Sequence, residues 1–235
     1  MTRTPTTPEQ LPLGLPGRAA MSRADFLRAP SNALALAAIG DPAGPPQGKL
    51  VLTGPEGAGK THLAQIWARA RDAVWIDPRD LVAALPAQLA ARAGAAVVID
   101  DADHVAGTEA EEALFHLHHH LQSSGGALLL TARSPVRDWG VRLPDLQSRL
   151  AATTHVALQP PDDTLLAAVL VKLFNDRQIR ISPQLVDYLL ARIERSLAQA
   201  QRVVAALDAR ALAQKRPVSR QLAAEILSQG IDKDA

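Results

Sequence analysis

Short apolar runs alternate with amphipathic stretches through the first two thirds of the chain. The five apolar runs that could form buried strands are residues 49–53, 73–76, 94–100, 126–131 and 153–158. The stretches with helical spacing between them are residues 62–70, 78–93 (with a break at Pro86), 108–121 and 141–150. Apolar strands that alternate with helices are typical of a parallel sheet covered on both faces. The pattern therefore predicts an α/β core with a five-stranded parallel sheet over residues 21–160.

Only helical periodicity follows residue 161. The helical segments are residues 162–178, 183–195, 197–215 and 219–228. They predict a small all-helical lid domain over residues 161–235. Ser219 is a good N-cap for the last of these helices, and Ser31 is a good N-cap for a helix over residues 31–39 near the start of the core.

Prolines and polar residues dominate residues 1–20, a composition that cannot build a packed element, so we expect a mobile tail. Within this tail, residues 10–16 read Gln-Leu-Pro-Leu-Gly-Leu-Pro. This segment is either a linker with incidental leucines or a short linear motif. In the second interpretation its apolar side chains dock into a pocket of a partner from an extended, proline-stiffened backbone. The residues alone leave both interpretations open.

Composition narrows the functional classes. The net charge is +1 at pH 7, which lacks the strong positive charge of a dedicated DNA-binding domain. The chain has no cysteine, which excludes disulfides, thiol catalysis and cysteine-ligated zinc. No apolar run approaches the length of a membrane span, and the polar N-terminus is unlike a secretory signal. We therefore expect a cytoplasmic protein without a membrane partner.

Residues 54–61 (Gly-Pro-Glu-Gly-Ala-Gly-Lys-Thr) fit the phosphate-loop pattern G-x-x-x-x-G-K-[ST] between a predicted strand and a predicted helix. Glycines let the backbone turn tightly, so that several N–H groups point at one anion. The helix N-terminus adds partial positive charge at the same place. In this pattern Lys60 reaches the β- and γ-phosphates and Thr61 ligates Mg²⁺. The loop therefore predicts binding of ATP or ADP together with Mg²⁺.

Asp100 and Asp101 end the third predicted strand, where a doubly wound sheet places its ligand groups. The pair matches a Walker B element, in which Asp100 holds Mg²⁺ through water and Asp101 orients the attacking water. The fourth predicted strand ends in Thr131-Ala132-Arg133, whose polar groups could contact a γ-phosphate or the attacking water. These residues predict a phosphate site at the carboxyl edge of the sheet.

Two other pairs of residues have competing interpretations. His116 and His120 lie four positions apart, a spacing that suits a metal site, but no carboxylate pattern accompanies them and a solvated helix face is favoured. Arg195 and Arg202 are candidates to lie over a bound nucleotide. A surface position is favoured for Arg202, and the pattern alone leaves Arg195 open.

Taken together, these motifs resemble those of AAA+ ATPases. Within that class, similarity to the nucleotide-binding domain of the replication initiator DnaA rests on Gly59-Lys60-Thr61-His62-Leu63, Ile99-Asp100-Asp101, Phe115-His116 and Ser148-Arg149. The chain stops after the helical segments, whereas DnaA continues into a helix-turn-helix domain. The chain therefore looks closer to the DnaA-paralogous Hda (HdaA) family of regulatory inactivation of DnaA. Residues 10–16 and 143–150 resemble that family's sliding-clamp motif and arginine-finger segment.

The resemblance implies roles for the matching residues. Arg149 would act in trans as an arginine finger in the ATP site of a neighbouring DnaA, Arg195 would contact the bound nucleotide, and Thr61 and Asp100 would serve Mg²⁺. The other nucleotide contacts would come from Gly54, Pro55, Glu56, Gly57, Ala58, Gly59, Lys60, Thr61 and His62. The contacts with the sliding clamp, the β subunit of DNA polymerase III, would come from Gln10, Leu11, Pro12, Leu13, Gly14 and Leu15. DNA would be met only indirectly, through these partners.

Two departures from the usual AAA+ pattern predict weak intrinsic hydrolysis. The usual catalytic glutamate is Asp101 here, as in DnaA, and this carboxylate is one methylene shorter. Arg133 replaces the aspartate of the Thr-Ser-Asp sequence in DnaA, so a carboxylate that could position water is lost.

We therefore expect a DnaA-related AAA+ regulator that binds ADP or ATP, binds the clamp and stimulates hydrolysis of DnaA-bound ATP, which prevents over-initiation of DNA replication. Two alternatives are a DnaC-type helicase loader and a clamp-bound scaffold without a catalytic role. The sequence decides neither the preferred nucleotide nor the oligomeric state, a homodimer included.

Overall fold

The computed structural model describes residues 26–41, 44–82 and 94–229. Its strands are β1 (Lys49–Thr53), β2 (Val74–Ile76), β3 (Ala96–Ile99), β4 (Ala127–Ala132) and β5 (Thr154–Ala157). All neighbouring strands pair in parallel, in the order β2-β3-β4-β1-β5. The predicted five-stranded parallel sheet is confirmed, with strand ends that shift by one or two residues.

The central strands are buried on both faces. Successive side chains of a strand point to opposite sides of the sheet, so each strand contributes to two cores. In β1, Leu50 and Leu52 pack into the core on one side, and Val51 packs into the core on the other. β3 and β4 repeat this alternation, with Val98 and Leu129 on the side of Leu50. Both sides are apolar, so the sequence of these strands shows no alternation.

Helices cover both faces of the sheet. They are α1 (Ala33–Gly40), α2 (Lys60–Arg71), α3 (Ala110–Ser123) and α4 (Pro144–Ala151). α1 and α2 pack on the side of Leu50, whereas α3 and α4 pack on the side of Val51. The helix predicted over residues 78–93 begins with a 3₁₀ turn at Pro78–Asp80, and Pro86 lies outside the described residues.

Four further helices follow the sheet and enclose an apolar core of their own. They are α5 (Asp163–Asp176), α6 (Pro183–Leu190), α7 (Leu197–Gln214) and α8 (Arg220–Gln229), called the helical lid below. Their buried side chains, Phe174 and Leu207 among them, form a cluster separate from the two cores of the sheet. The four helices predicted here are confirmed, although α6 ends five residues earlier than the pattern suggests. Within the described part of the chain, no helix is long and apolar enough to cross a membrane.

The two predicted helix caps differ in outcome. Ser219 is confirmed, since its hydroxyl oxygen accepts an N–H from the first turn of α8 at 3.3 Å. Ser31 is wrong, because Asn32 immediately precedes α1 and no side chain caps this helix. The Asn32 amide accepts the Ala29 N–H and donates to the Leu27 carbonyl. It therefore stabilises the turn that leads into α1, and this turn leaves Ser31 outside the capping position.

Candidate nucleotide-binding site

The phosphate-loop segment turns tightly between β1 and α2. Gly57 and Gly59 have φ angles of +72° and +98°, which L side chains rarely adopt. Lys60 begins α2, and its Nζ donates to the Gly54 carbonyl at 2.8 Å and to the Pro55 carbonyl at 3.0 Å. The loop thus wraps around an ammonium group at a helix N-terminus, where an anion is electrostatically favoured.

Thr61 and Asp100 meet at this loop although they lie 39 positions apart. The Thr61 hydroxyl donates to Oδ2 of Asp100 at 3.0 Å. Thr131, near the end of β4, donates its hydroxyl to Oδ1 of Asp100 and accepts the Asp101 N–H at 2.9 Å. Hydroxyl and carboxylate oxygens are the hard donors that Mg²⁺ prefers, so the residues present fit the predicted ion. They converge because β1, β3 and β4 are neighbours and end at the same edge of the sheet.

Carboxylates surround the ammonium group of the loop. Burial lowers the pKa of Lys60 below its usual range, while Asp101 and Asp100 act in the opposite direction and Arg133 adds to the lowering. Asp101 is therefore close enough to the phosphate loop to influence Lys60. This placement suits the predicted water-orienting role of Asp101, which stays a prediction.

Arg133 contacts two carboxylate groups, although the sequence predicted that a carboxylate is lost at this position. Its guanidinium lies 3.2 Å from Glu56 of the phosphate loop. Its backbone N–H donates to the Asp103 carboxylate at 3.2 Å. Sequence reasoning missed both contacts, because the three residues belong to different segments of the chain.

The helical lid contacts the phosphate loop directly. Leu197, the first residue of α7, donates its N–H to the Gly57 carbonyl at 2.8 Å. A Cβ added at Gly57 would lie 1.9 Å from the Ser196 hydroxyl oxygen, so this approach requires glycine. Arg195, the predicted nucleotide contact, forms an ion pair with Asp163 in which the two N···O distances are 2.9 and 3.1 Å. The sequence offered one signal for the contact between the loop and the lid, which is that Gly57 is a glycine at a variable position of the loop pattern.

Phe26 brings the segment before α1 next to the start of α2. Its ring lies edge-on to the His62 imidazole, with 5.1 Å between centroids. A Cβ added at Gly59 would lie 3.8 Å from the same ring. An aromatic ring beside a phosphate loop offers a surface on which a purine base could pack. Sequence reasoning gave Phe26 no role, although the chain has only three phenylalanines.

Arg149 lies near the opposite edge of the sheet from the phosphate loop. Its guanidinium donates to the Gln122 side-chain oxygen at 3.2 Å and lies 5.0 Å from the Phe115 ring centroid. Burial lowers the pKa of Lys49, the first residue of β1, and the positive charge of Arg149 lowers it further. The loop follows the last residue of β1, so about 13 Å of strand lies between Lys49 and the loop. Arg149 is therefore remote from the phosphate loop of its own chain.

Lys49 and His118 form a buried basic cluster with Arg149. Lys49 is 1% exposed and His118 is 3% exposed, and within the described residues neither side chain has a hydrogen-bond partner. Burial lowers the pKa of His118 to about 4, and the charges of Lys49, Arg149 and His119 contribute to the shift. Of the described residues, no carboxylate affects the pKa of Lys49 or His118. Sequence reasoning missed this cluster because its members come from three different elements.

Glu111 fixes the start of the helix that carries Arg149. Its buried carboxylate accepts the N–H of Gly107 in the loop before α3, and those of Arg142 at 3.0 Å and Leu143 at 2.8 Å just before α4. Burial alone would raise the pKa of Glu111, but these N–H groups hold the pKa below its usual range. No motif in the sequence indicates a role for this residue.

The remaining predicted sites lie on exposed helix faces or outside the described residues. His116 and His120 lie on the exposed side of α3, and the described ranges contain no group of three or more His, Cys, Asp or Glu that could hold a metal. Arg202 is exposed on α7. Residues 10–16, the candidate clamp-binding segment, lie outside the described residues, and their role stays a prediction.

Sequence comparison relates the chain to replication initiators. No family model matches the chain. The chromosomal replication initiator protein DnaA of Bacteroides thetaiotaomicron is 26% identical over 216 residues, covering 84% of this chain and 46% of that protein. DnaA of Herpetosiphon aurantiacus is 26% identical over 249 residues, covering 95% of this chain and 53% of that protein. The chain thus spans about half the length of these two relatives, and 28% of the length of DnaA from Thermomicrobium roseum.

Structure comparison also finds similarity to DnaA. Domain III of the Thermotoga maritima replication initiation protein DnaA superposes with a TM-score of 0.77 at 18% identity, over 90% of this chain and 97% of that chain. A replication initiator DnaA bound to AMPPCP and single-stranded DNA superposes with a TM-score of 0.66 at 18% identity, over 82% of this chain and 66% of that chain.

The phosphate loop, the parallel sheet and the helical lid define an α/β protein with the AAA+ fold. Within that class, the chain is similar in sequence to DnaA proteins, and its architecture matches that of domain III of DnaA. The predicted fold class is therefore confirmed, and so is the resemblance to DnaA at this level. The closer resemblance to the Hda family stays a prediction.

Proposed function

We propose that this DnaA-like domain binds an adenine nucleotide with Mg²⁺ and stimulates hydrolysis of ATP bound to DnaA, as a clamp-dependent regulator that prevents over-initiation of replication. The position of Arg149 carries the proposal. This residue lies near the opposite edge of the sheet from its own phosphate loop, and within the described residues it has no carboxylate partner. An arginine in that position is available to a nucleotide bound by a neighbouring molecule.

The residues of the loop suit a nucleotide in this chain's own site. Backbone N–H groups within residues 56–60 and the Lys60 ammonium would hold phosphates, and Thr61 and Asp100 would hold Mg²⁺. Bound Mg²⁺ would neutralise part of the phosphate charge. Because Leu197 of the lid bonds to Gly57, the loop and the lid share one surface, and a nucleotide there would fix the lid against the core. The AMPPCP-bound DnaA neighbour supports the assignment of an adenine nucleotide.

Arg149 would act on the ATP of the partner. Guanidinium N–H groups stabilise charge that develops on a transferring phosphoryl group, and an arginine finger supplied in trans accelerates hydrolysis by about 10³–10⁵-fold. The partners of Arg149 in this chain are a neutral amide and an aromatic ring, and both can be exchanged for a phosphate at low cost. The nearby Lys49 and His118 supply no negative charge that would compete with it.

The tail would localise this reaction. Docking of residues 10–15 on a sliding clamp loaded on DNA would raise the concentration of Arg149 near DnaA, as tethering does in general. Hydrolysis of DnaA-bound ATP would then depend on ongoing replication.

The test measures hydrolysis of radiolabelled ATP that has been pre-bound to DnaA, with and without this chain and a DNA-loaded clamp. The wild-type chain should accelerate hydrolysis only when the clamp is present. Arg149→Ala should lower the stimulated rate by about 10³-fold while the chain still binds nucleotide and clamp. Arg137→Ala, which removes an exposed arginine of the loop before α4, should leave stimulation unchanged. Full stimulation by Arg149→Ala would contradict the proposal.

The tail is tested separately by replacing Gln10, Leu11 and Leu13 with alanine. The triple variant should lose pull-down by the clamp, because the apolar anchors are removed. Unchanged pull-down would make the segment a linker. The hydrolysis assay also separates the alternatives: a scaffold predicts that Arg149→Ala is silent, and a helicase loader predicts that the wild-type chain has no effect on DnaA-bound ATP.

A further inference from the structure

An ion pair lies across the start of the phosphate loop. The Arg133 guanidinium is 3.2 Å from the Glu56 carboxylate. The backbone on either side is anchored, because Gly54 N–H donates to the Ala132 carbonyl at 3.2 Å and Arg133 N–H donates to Asp103 at 3.2 Å. The end of β4 is therefore held beside the first residues of the loop, and Arg133 is placed there by the sheet.

Arg133 is also electrostatically close to the phosphate-binding cation. Burial is the largest cause that lowers the pKa of Lys60, and the Arg133 charge lowers it further. The site thus contains two cations with different surroundings. Lys60 is buried within the loop, whereas Arg133 is paired with Glu56 at its rim.

A third phosphate would meet this pair. The loop N–H groups of such a motif cradle the α- and β-phosphates, so a γ-phosphate extends beyond them towards the neighbouring strand ends. Glu56 repels that added charge, whereas Arg133 attracts it and can bind a phosphate in two-pronged fashion. The side chains of Arg133 and Glu56 are 55% and 64% exposed, and an ion pair as exposed as this contributes little by itself. A phosphate can therefore displace Glu56 at low cost.

We propose that the Glu56–Arg133 ion pair sets the preference of this site between nucleoside triphosphate and diphosphate. A γ-phosphate takes the place of Glu56 on the Arg133 guanidinium, whereas a diphosphate leaves the pair intact. The inference rests on the proposed nucleotide binding and concerns a choice that the loop pattern leaves open.

The experiment compares the dissociation constants of AMPPCP and ADP by titration calorimetry with Mg²⁺, and follows their ratio. Arg133→Ala should raise the ratio of the AMPPCP constant to the ADP constant about tenfold, since a charged hydrogen bond to the γ-phosphate is lost and Glu56 is left unpaired. Arg133→Lys should give an intermediate ratio, because it keeps the charge and loses the fork. Glu56→Gln should lower the ratio about threefold, because it frees the guanidinium and removes a repulsive charge.

Arg137→Ala is the matched control, because Arg137, four positions further on, also belongs to an exposed pair of an arginine with a carboxylate. Its ratio should equal that of the wild type. An unchanged ratio in Arg133→Ala, or an equal change in Arg137→Ala, overturns the inference. Failure of the wild-type chain to bind either nucleotide would overturn the proposed nucleotide site itself, so the two failures are distinguishable.

Discussion

The two ends of β1 differ in how their cations are neutralised. At the carboxyl end, Lys60 lies among Asp100, Asp101 and Asp103, and Arg133 is paired with Glu56. At the amino end, Lys49, His118 and Arg149 come together, and of the described residues no carboxylate joins them. Both ends contain cations, but only the first contains the hard oxygen donors that a metal requires.

The difference in neutralisation suits the cations at the two ends of β1 to different uses. The carboxyl end is suited to hold a polyanion with its metal, because cations and carboxylates share one loop. The amino end has an excess of positive charge, which an anion on another molecule could neutralise. The comparison thus supports a division of work in which this chain holds one nucleotide and acts on a second one bound elsewhere.

Removing the loop cation should affect only the carboxyl end. Lys60→Ala should weaken ADP binding about 100-fold, because the charge-assisted hydrogen bonds of the ammonium are lost. Arg149→Ala should leave ADP binding unchanged in the same calorimetric titration. Equal losses in the two variants would show that the two ends do not act separately.

Acid should destabilise the amino end through His118. The folded-state pKa of His118 is about 4, below its ordinary value of 6.5, so between these values the unfolded chain binds the proton more readily. The free energy of unfolding should therefore fall as pH is lowered from 6.5 to 4, with a contribution of about 3 kcal/mol from His118. Lys49, Arg149 and His119 face the imidazole, and their charges act in the same direction.

Urea denaturation at several pH values measures this effect. His118→Leu should flatten the dependence over that range, whereas the exposed His116→Leu should not. A slope retained in His118→Leu would assign the acid sensitivity to other groups.

Gly57→Ala should disturb the contact between loop and lid. Its Cβ would clash with the Ser196 hydroxyl, and its φ is +72°. Gly125 has a similar φ of +70° with nothing within 4 Å, so Gly125→Ala carries the backbone strain without the clash. In thermal or urea denaturation, Gly57→Ala should be destabilised by about 2 kcal/mol more than Gly125→Ala. Equal losses of stability in the two variants would mean that the lid moves away from the added Cβ without a loss of free energy.

Lys49→Met should stabilise the protein by about 1 kcal/mol, the smallest of these effects. The buried ammonium has no hydrogen-bond partner within the described residues, and a methionine of similar length removes the cost of burying it. Urea denaturation at neutral pH gives the sign. Destabilisation would indicate that the ammonium is satisfied by a bound anion or water.

Local features of the chain were predictable. The phosphate loop lies within eight consecutive residues, and the strands and the apolar face of α3 follow from spacing along one element. Prediction failed at Ser31, because the neighbouring Asn32 immediately precedes α1. The Asn32 side chain bonds to the preceding turn and does not cap the helix. A single element does not reveal such competition between neighbouring polar side chains.

By itself, the sequence determined the phosphate loop, the strand–helix order and the helical lid, because each depends on residues that are neighbours in the chain. Only the tertiary structure decided which distant side chains meet. The strand order β2-β3-β4-β1-β5 brings Asp100 and Thr131 to Thr61 and places Arg133 against Glu56. Packing of α3 and α4 on the sheet brings His118 and Arg149 to the far end of β1. These meetings depend on sheet order and helix docking, which place residues in contact irrespective of their separation along the chain.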